Sequence, residues 1–389
     1  MIDNYKFVEI NLIIGDDMEI GSKPKEILKN ILKQYTTTDT VLFQLRHKYM
    51  LHINLSKKYQ FLEDDSLNED YVKECIKKAM EVFRTMGFGN NLLVVYDDIH
   101  DNHGLEEKDF IESTLRNIIQ CDNYKLKWKY PDGEDIYICN RHIYQVGEID
   151  IKNLFREIVI ADIGGKLDLI SSIFIMDIDT KFIFHLYDDR GLFLYAKKEK
   201  DLLDVWNKFY DDIFTDCENF KIKVKDLYWI NKEKDDSNDL CLHGDIVVTI
   251  GEEELSYINA TVSASALRML KTLTEEHLPT EGQQMLPCCG HTVVANESLD
   301  EVDIIGCDNG IDWTVLHDNG MIKLITESEN TTSLYYLQYK EEVMDVANIV
   351  KKYYKESSPK IMPEDEFERN GYIAFWNEWN RRVGYEKRI

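Results

Sequence analysis

The sequence predicts an α+β (mixed α/β) fold with two domains, each a mixed or antiparallel sheet covered by helices. Three observations lead to this prediction. The chain has 389 residues, which exceeds the length at which a single core usually keeps growing. Segments with strand-like alternation and segments with helical spacing follow one another along the chain. Only 6 prolines and 19 glycines interrupt a composition that is 44% hydrophobic, so long linkers are not expected.

The first third of the chain alternates strands and helices. FVEINLII is apolar and rich in β-branched residues, whereas the segment after Pro24 repeats its apolar residues at helical spacing. The predicted strands lie at residues 7–14, 41–55 and 92–96, and the predicted helices at residues 24–35, 71–86 and 110–119.

The next segments continue this pattern up to the end of the first half. YKLKWKYPDGEDIYICN, residues 124–140, reads as a hairpin because PDGED joins two alternating runs. A helix at 151–163, two strands within 171–187 and a helix at 202–213 follow. A charge-dense stretch at 231–240 then interrupts the apolar pattern, and we place the domain boundary near residue 222, which gives domains 1–222 and 223–389.

The second half predicts a smaller α+β domain with a CCGH loop and two C-terminal helices. HDNG, residues 317–320, is typical of a hairpin turn because asparagine and glycine tolerate positive φ. The predicted strands are DIVVTI, VDIIGC, IDWTVLHDNGMIKLITE and TTSLYYLQY, and the predicted helices are SASALRMLKTLTEEH, residues 341–354 and residues 364–383.

The cluster YDDRG, residues 187–191, is the first candidate site. The adjacent carboxylates of Asp188 and Asp189 suggest magnesium binding or general base catalysis, but magnesium sites usually add further carboxylates and substrate phosphates. A hairpin explains the cluster more simply, with Arg190 neutralising an aspartate and Gly191 in the left-handed position of a short loop. Asp188, Asp189 and Arg190 are also predicted to contact a partner.

The CCGH loop is the second candidate site, and it raises the question of a metal. Cys288 and Cys289 are adjacent and normally point apart, so both can hardly bind one ion. A zinc site would require Cys289, His291 and Cys307 to converge. Buried thiols beside a turn glycine are the favoured interpretation, and no cofactor is expected.

A cysteine nucleophile in the same loop is a further alternative. Such a thiolate needs a histidine base and an orienting group, which His317 or His243 with Asp312 could supply. The following residues, HTVV, continue as a strand rather than a helix, so no helix dipole would lower the thiol pKa.

The stretch GCDNGIDWTVLH, residues 306–317, holds the remaining candidates. Asp308 to Gly310 read as a turn. Alternatively, Asp308, Asp312 and Trp313 line a recognition surface, since an aromatic ring beside fixed carboxylates can hold a basic group.

The charge balance restricts the class of partner. The formal net charge is −26, and such a field repels nucleic acids and anionic membranes. It favours encounter with a basic partner. The alternative is that the negative charge only keeps the protein soluble. The amino terminus lacks the features of a signal peptide, and no apolar run is long enough to span a bilayer, so a cytoplasmic protein is expected.

The first half resembles a known bacterial family. LFQLRHKYMLHINL at 42–55 and the YDDRG block followed by a helix within 184–214 are similar to the domain of unknown function 3885, over roughly residues 5–220. The resemblance supplies no established catalytic residues that could be carried over to this chain.

The second half is similar to modules of bacterial immunity proteins from polymorphic or contact-dependent toxin systems, through LPCCGH, GCDNGIDWTVLH and FWNEW. That resemblance implies a non-enzymatic protein that binds one basic toxin domain and blocks it. The alternative is a small metal-binding or cysteine-dependent enzyme centred on the CCGH loop.

Overall fold

The computed structural model describes most of the chain: residues 23–35, 41–99, 104–130, 135–213, 220–231, 235–287, 292–306, 309–318 and 320–384. The strand predicted at 7–14 lies outside these ranges. The chain divides into two compact units, Met1–Phe214 and Thr215–Ile389. Residue 222 lies inside a strand of the second unit, Phe220–Tyr228, so the division falls before that strand rather than at 222. The predicted α+β class is confirmed.

A seven-stranded sheet forms the centre of the first unit, and each of its strand pairs is antiparallel. Its order is β1-β7-β6-β5-β2-β4-β3. The hairpin predicted around PDGED is confirmed, because the two long strands pair as far as Trp128 and Tyr137. The strands are β1 (Met50–Asn54), β2 (Leu92–Asp98), β3 (Leu115–Trp128), β4 (Tyr137–Ile149), β5 (Ile173–Asp177), β6 (Ile183–Leu186) and β7 (Gly191–Tyr195).

Five α-helices of the first unit lie within the described ranges. Asn68 caps the longest helix by accepting from two backbone amides, and Gly87 ends it in the left-handed conformation at φ 76°. The rings of Phe83 and Phe155 pack with Phe184 of β6, which places α2 and α4 on one face of the sheet. The helices are α1 (Lys23–Leu32), α2 (Glu69–Met86), α3 (Gly104–Thr114), α4 (Ile151–Ile160) and α5 (Leu203–Lys208).

One helix prediction of the first half is wrong in its bounds. The helix predicted at 110–119 ends at Thr114, and the next residue already belongs to β3. Ile118 pairs with Val146 of β4, so the ladder with a neighbouring strand overrides the apolar spacing that suggested a helix.

Within the described residues, the second unit contains small antiparallel sheets and three α-helices. The HDNG hairpin is confirmed, because Asp318 pairs with Met321 and Gly320 has a φ of 86°. One sheet has the order β10-β9-β8, β11 pairs with β12, and the third has the order β13-β14-β15. The strands are β8 (Phe220–Tyr228), β9 (His243–Ile250), β10 (Glu253–Thr261), β11 (Thr292–Ala295), β12 (Val302–Ile305), β13 (Trp313–Asp318), β14 (Met321–Thr326) and β15 (Thr331–Tyr335), and the helices are α6 (Val262–Lys271), α7 (Tyr336–Glu356) and α8 (Glu366–Gly384).

The core of the second unit lies around α6, which is buried along almost its whole length. Trp313 of β13 and Trp379 of α8 are both fully buried. The carboxylate of Glu378, also fully buried, accepts from the backbone N–H of Val302 at 2.8 Å and pairs with Lys271 at 3.0 Å. These contacts tie α8 to both α6 and β12.

Candidate functional site

The YDDRG cluster forms the turn between β6 and β7, as the hairpin interpretation predicts. Residues 187–190 connect the two antiparallel strands, and Leu186 pairs with Leu192 across the hairpin. Both aspartates are fully buried, whereas the side chain of Arg190 is 62% exposed. The turn therefore directs its carboxylates inward and its guanidinium outward.

Asp188 closes the turn on itself. Its Oδ1 accepts from the backbone N–H of Arg190 at 2.7 Å, and its Oδ2 accepts from Nε of the same residue at 2.8 Å. This carboxylate raises the pKa of Arg190, chiefly through the hydrogen bond. The guanidinium also lies 3.9 Å from the exposed carboxylate of Asp162, just after α4.

Asp189 ties the turn to α2 and to the segment before it. Its Oδ2 accepts from the hydroxyl of Tyr71 at 2.6 Å and from Nε2 of Gln60 at 2.5 Å. The Sγ of Cys75 contacts the Asp189 backbone carbonyl at 3.5 Å, and burial raises the pKa of this thiol to about 12. Cys75 therefore stays protonated at neutral pH and is unsuited to be a nucleophile.

Tyr187 and Gly191 complete the motif by close packing against β1. The Tyr187 hydroxyl lies 2.7 Å from Nε2 of His52. A Cβ on Gly191 would stand 2.5 Å from this hydroxyl and 2.9 Å from the Ile53 carbonyl oxygen. The predicted left-handed conformation of Gly191 is wrong, because its φ is not positive and the residue begins β7. Glycine is required here for space rather than for backbone freedom.

Three carboxylates converge near this turn. Asp162, Asp188 and Asp189 each offer an oxygen, and these oxygens lie within 4.8 Å of one another. Arg190 pairs with Asp188 and lies close to Asp162, so its guanidinium already supplies positive charge to the cluster. Oδ1 of Asp189 is buried without a hydrogen-bond partner in the described part of the chain. The arrangement is that of an ion-paired structural turn.

An acidic loop, residues 59–70, contains the turn's partner Gln60 and ends with the first two residues of α2. Its sequence, YQFLEDDSLNED, carries five carboxylates and no lysine or arginine. All five acidic residues are exposed, and so are Tyr59, Phe61 and Leu62. Sequence reasoning did not single out this loop, although its run of acids beside apolar residues is visible in the sequence.

The predicted sites of the second unit fall on buried or undescribed positions. Asp312 and Trp313 are 4% and 0% exposed, so a partner cannot reach them without rearrangement. Oδ1 of Asp312 lies 2.7 Å from Nε2 of His277 and accepts from the backbone N–H of Met285 at 3.0 Å. The remaining predicted residues, Cys289, His291, Cys307 and Asp308, lie outside the described residues.

The two histidines weighed as bases for a cysteine nucleophile have other contacts. Nε2 of His317 lies 2.9 Å from the Thr272 carbonyl oxygen. The ring of His243 stacks on Tyr228. The histidine that contacts Asp312 is instead His277, which the sequence pattern does not suggest.

Comparison with known protein families assigns the chain to one family. The family described as Domain of unknown function (DUF3885) matches residues 18–217, about half of the chain, and the chain belongs to this family. No curated protein and no solved structure shows significant similarity to the chain. Within the described ranges, no helix is both long and apolar enough to cross a membrane.

Proposed function

We propose that this chain is a non-enzymatic cytoplasmic binding protein, an immunity protein that neutralises a bacterial toxin domain by direct binding. The observation that carries the proposal is the formal net charge of −26, from 72 acidic and 46 basic side chains. A field of this sign accelerates encounter with a basic protein and opposes contact with nucleic acid. An acidic protein can occlude the basic surface with which a nuclease toxin holds its substrate.

The geometry of the YDDRG turn supports a binding role over a catalytic one. The carboxylates of Asp188 and Asp189 are buried and are hydrogen-bonded to Arg190, Tyr71 and Gln60. Side chains held in this way fix the hairpin to α2 and leave the surface around it to contact a partner. Arg190 and Asp162 are the charged groups of this cluster that a partner can reach.

Co-purification with the basic products of neighbouring genes tests the proposal. The tagged chain is co-expressed with each product, recovered at an ionic strength of about 0.01 M and washed at about 0.15 M. We expect one toxin domain to be retained and its toxicity to be abolished. An unrelated protein of similar net charge serves as the control for non-specific capture.

Two results would contradict the proposal. If no basic product is retained at the lower ionic strength, the electrostatic argument fails. If the unrelated acidic protein retains and neutralises the same toxin equally well, the binding reflects charge alone and this chain is not a specific inhibitor.

A further inference from the structure

We infer that the acidic loop, residues 59–70, is the surface through which this protein binds its partner, and that the partner presents a basic surface with an apolar cleft. This inference rests on the proposed function and assigns it to one place. Three observations support it: the loop exposes apolar side chains, hydrogen bonds hold its backbone, and its negative charge complements a basic partner.

The loop exposes three large apolar side chains within four residues. Tyr59 is 87% exposed, more than any other large apolar residue in the described part of the chain. Phe61 and Leu62 are 45% and 52% exposed. Aromatic side chains presented in this way are the usual energetic anchors of protein interfaces, because their rings bury much area with little loss of conformational freedom.

Hydrogen bonds within the loop hold its backbone in one conformation. The backbone N–H of Leu62 donates to the Ser66 carbonyl at 2.9 Å, and that of Asn68 donates to the Gln60 carbonyl at 2.9 Å. The Nδ2 of Asn68 donates to the Tyr59 carbonyl at 3.0 Å, while its Oδ1 caps α2. A hydrogen bond from the Gln60 side chain to Asp189 connects the loop to the YDDRG turn.

The charge of the loop defines the partner's chemistry. The carboxylates of Glu63, Asp65 and Glu69 are exposed in the same segment as the apolar residues, and Asp64 adds another, whose pKa is lowered by hydrogen bonds from Ser66. Asp70 is the one acidic residue of the loop that pairs with a lysine in the described contacts, at 3.1 Å from Lys73. A surface of this kind fits lysines and arginines around an apolar cleft.

A second exposed apolar region lies on the β3–β4 hairpin, and its charge points to a different ligand. Ile119 and Ile138 are 58% and 50% exposed. The accompanying charged residues on β3 are mainly basic, including Lys125 and Lys127. This region does not complement a basic partner, so the acidic loop is the better candidate.

Two charge-matched variants test the inference. In the loop variant, Glu63→Gln, Asp65→Asn and Glu69→Gln remove three carboxylates and leave the loop's internal hydrogen bonds in place. In the control variant, Glu297→Gln, Glu327→Gln and Glu329→Gln remove three exposed carboxylates from the second unit. Both change the formal net charge equally, from −26 to −23 (−26 + 3), so any difference in affinity reports position rather than total charge.

The probe is the toxin domain retained in the co-purification above, and its affinity is measured by titration calorimetry. We expect the loop variant to bind about tenfold or more weakly and the control variant to bind within about twofold of the parent. A third variant, Tyr59→Ala, is expected to weaken binding about tenfold, with Ile258→Ala as its exposed apolar control.

The outcomes separate the two hypotheses. If the parent binds the toxin domain and the loop variants bind as tightly as their controls, the loop assignment is overturned while the proposed function stands. If the parent retains no basic product, the proposed function and the inference fall together. Circular dichroism of each variant verifies that the fold is retained.

Discussion

At the scale of single residues, the side chains of the YDDRG motif mainly connect the turn to neighbouring elements. Tyr187 reaches β1, Asp189 reaches α2, and Arg190 reaches the end of α4. The turn itself could be predicted, because alternating strands flank turn residues. Its partners could not be, since Tyr71 and Gln60 lie 118 and 129 residues from Asp189 and no local pattern specifies such contacts.

The close packing at Gly191 predicts a sensitive substitution. Gly191→Ala would place a methyl group 2.5 Å from the Tyr187 hydroxyl and 2.9 Å from the Ile53 carbonyl oxygen. We expect the free energy of unfolding to fall by about 1–3 kcal/mol, measured by urea denaturation. Gly384→Ala is the control, because a Cβ there meets no atom within 4 Å. Equal effects of the two substitutions would contradict this explanation.

The buried and exposed carboxylates of the turn are expected to differ in their contribution to stability. Asp189→Ala removes the carboxylate that accepts from the Tyr71 hydroxyl and the Gln60 amide, and leaves the Tyr71 hydroxyl only the Asp189 backbone carbonyl at 3.2 Å. We expect this loss to cost about 2–4 kcal/mol in total. Asp162→Ala removes only a distant exposed ion pair, so we expect a loss of about 0–1 kcal/mol. Urea denaturation of both variants measures the difference. Similar losses would mean that the contacts of Asp189 add little.

At the scale of elements, a row of stacked rings crosses four neighbouring strands. Phe174 of β5 lies 3.9 Å from His185 of β6, between ring centroids, and Phe193 of β7 lies 4.4 Å from His52 of β1. His185 and Phe193 are cross-strand partners. The alternation of each strand predicts which face a residue occupies, but the order of strands in the sheet decides which rings meet.

Burial of this row predicts how stability depends on pH. Desolvation lowers the pKa of His185 to about 3 and that of His52 to about 4. For His185 a backbone hydrogen bond with Ser171 opposes this shift, and for both histidines the charge of Arg46 adds a smaller lowering effect. Below a pH of about 6.5 these two histidines are protonated in the unfolded chain but stay neutral in the folded state. Stability therefore falls as the pH drops from this value toward the folded-state pKa values.

A substitution isolates the contribution of His185. Phenylalanine has a similar planar shape and cannot be protonated, so His185→Phe removes the titrating group at the cost of the ring's contact with the Ser171 backbone. We expect His185→Phe to reduce the slope of stability against pH by about 1.4 kcal/mol per pH unit between about 6 and 4. Urea denaturation across this range measures the slope, and equal slopes in variant and parent would show that the ring does not resist protonation.

Element boundaries show where sequence patterns are insufficient. The helices α2, α7 and α8 follow from apolar spacing and are confirmed. The strand predicted over TTSLYYLQY is too long, because β15 ends at Tyr335 and α7 already begins at Tyr336. The helix predicted at 110–119 extends wrongly into β3, because the first residues of β3 are held in a strand by their pairing with β4. Long-range pairing of this kind leaves no periodic signal in a short apolar run.

At the scale of the whole molecule, the excess of carboxylates predicts a dependence of stability on salt. Like charges are closer together in the folded chain than in the unfolded chain, so screening favours the folded state. Raising the ionic strength from about 0.01 M to about 0.15 M shortens the screening length from about 30 Å to about 8 Å. We expect the Tm to rise by about 2–4 °C.

Thermal denaturation in potassium chloride measures this effect, and the variant with Glu297→Gln, Glu327→Gln and Glu329→Gln is its control. Because that variant carries three fewer charges, its Tm should depend less on salt than that of the parent. A Tm that falls with salt in the parent would show that attractive ion pairs, rather than net repulsion, dominate the electrostatic free energy.

The hydrogen bonds that close the acidic loop also affect the thermodynamics of recognition. A recognition segment that orders only on binding spends part of its interaction free energy on lost conformational entropy. Here the Leu62–Ser66 and Asn68–Gln60 backbone bonds, and the link from Gln60 to Asp189, already fix the segment in the free protein. That part of the ordering entropy is thus lost during folding, and a complex formed through this loop would not lose it again on binding, so the remaining cost is mainly that of association itself.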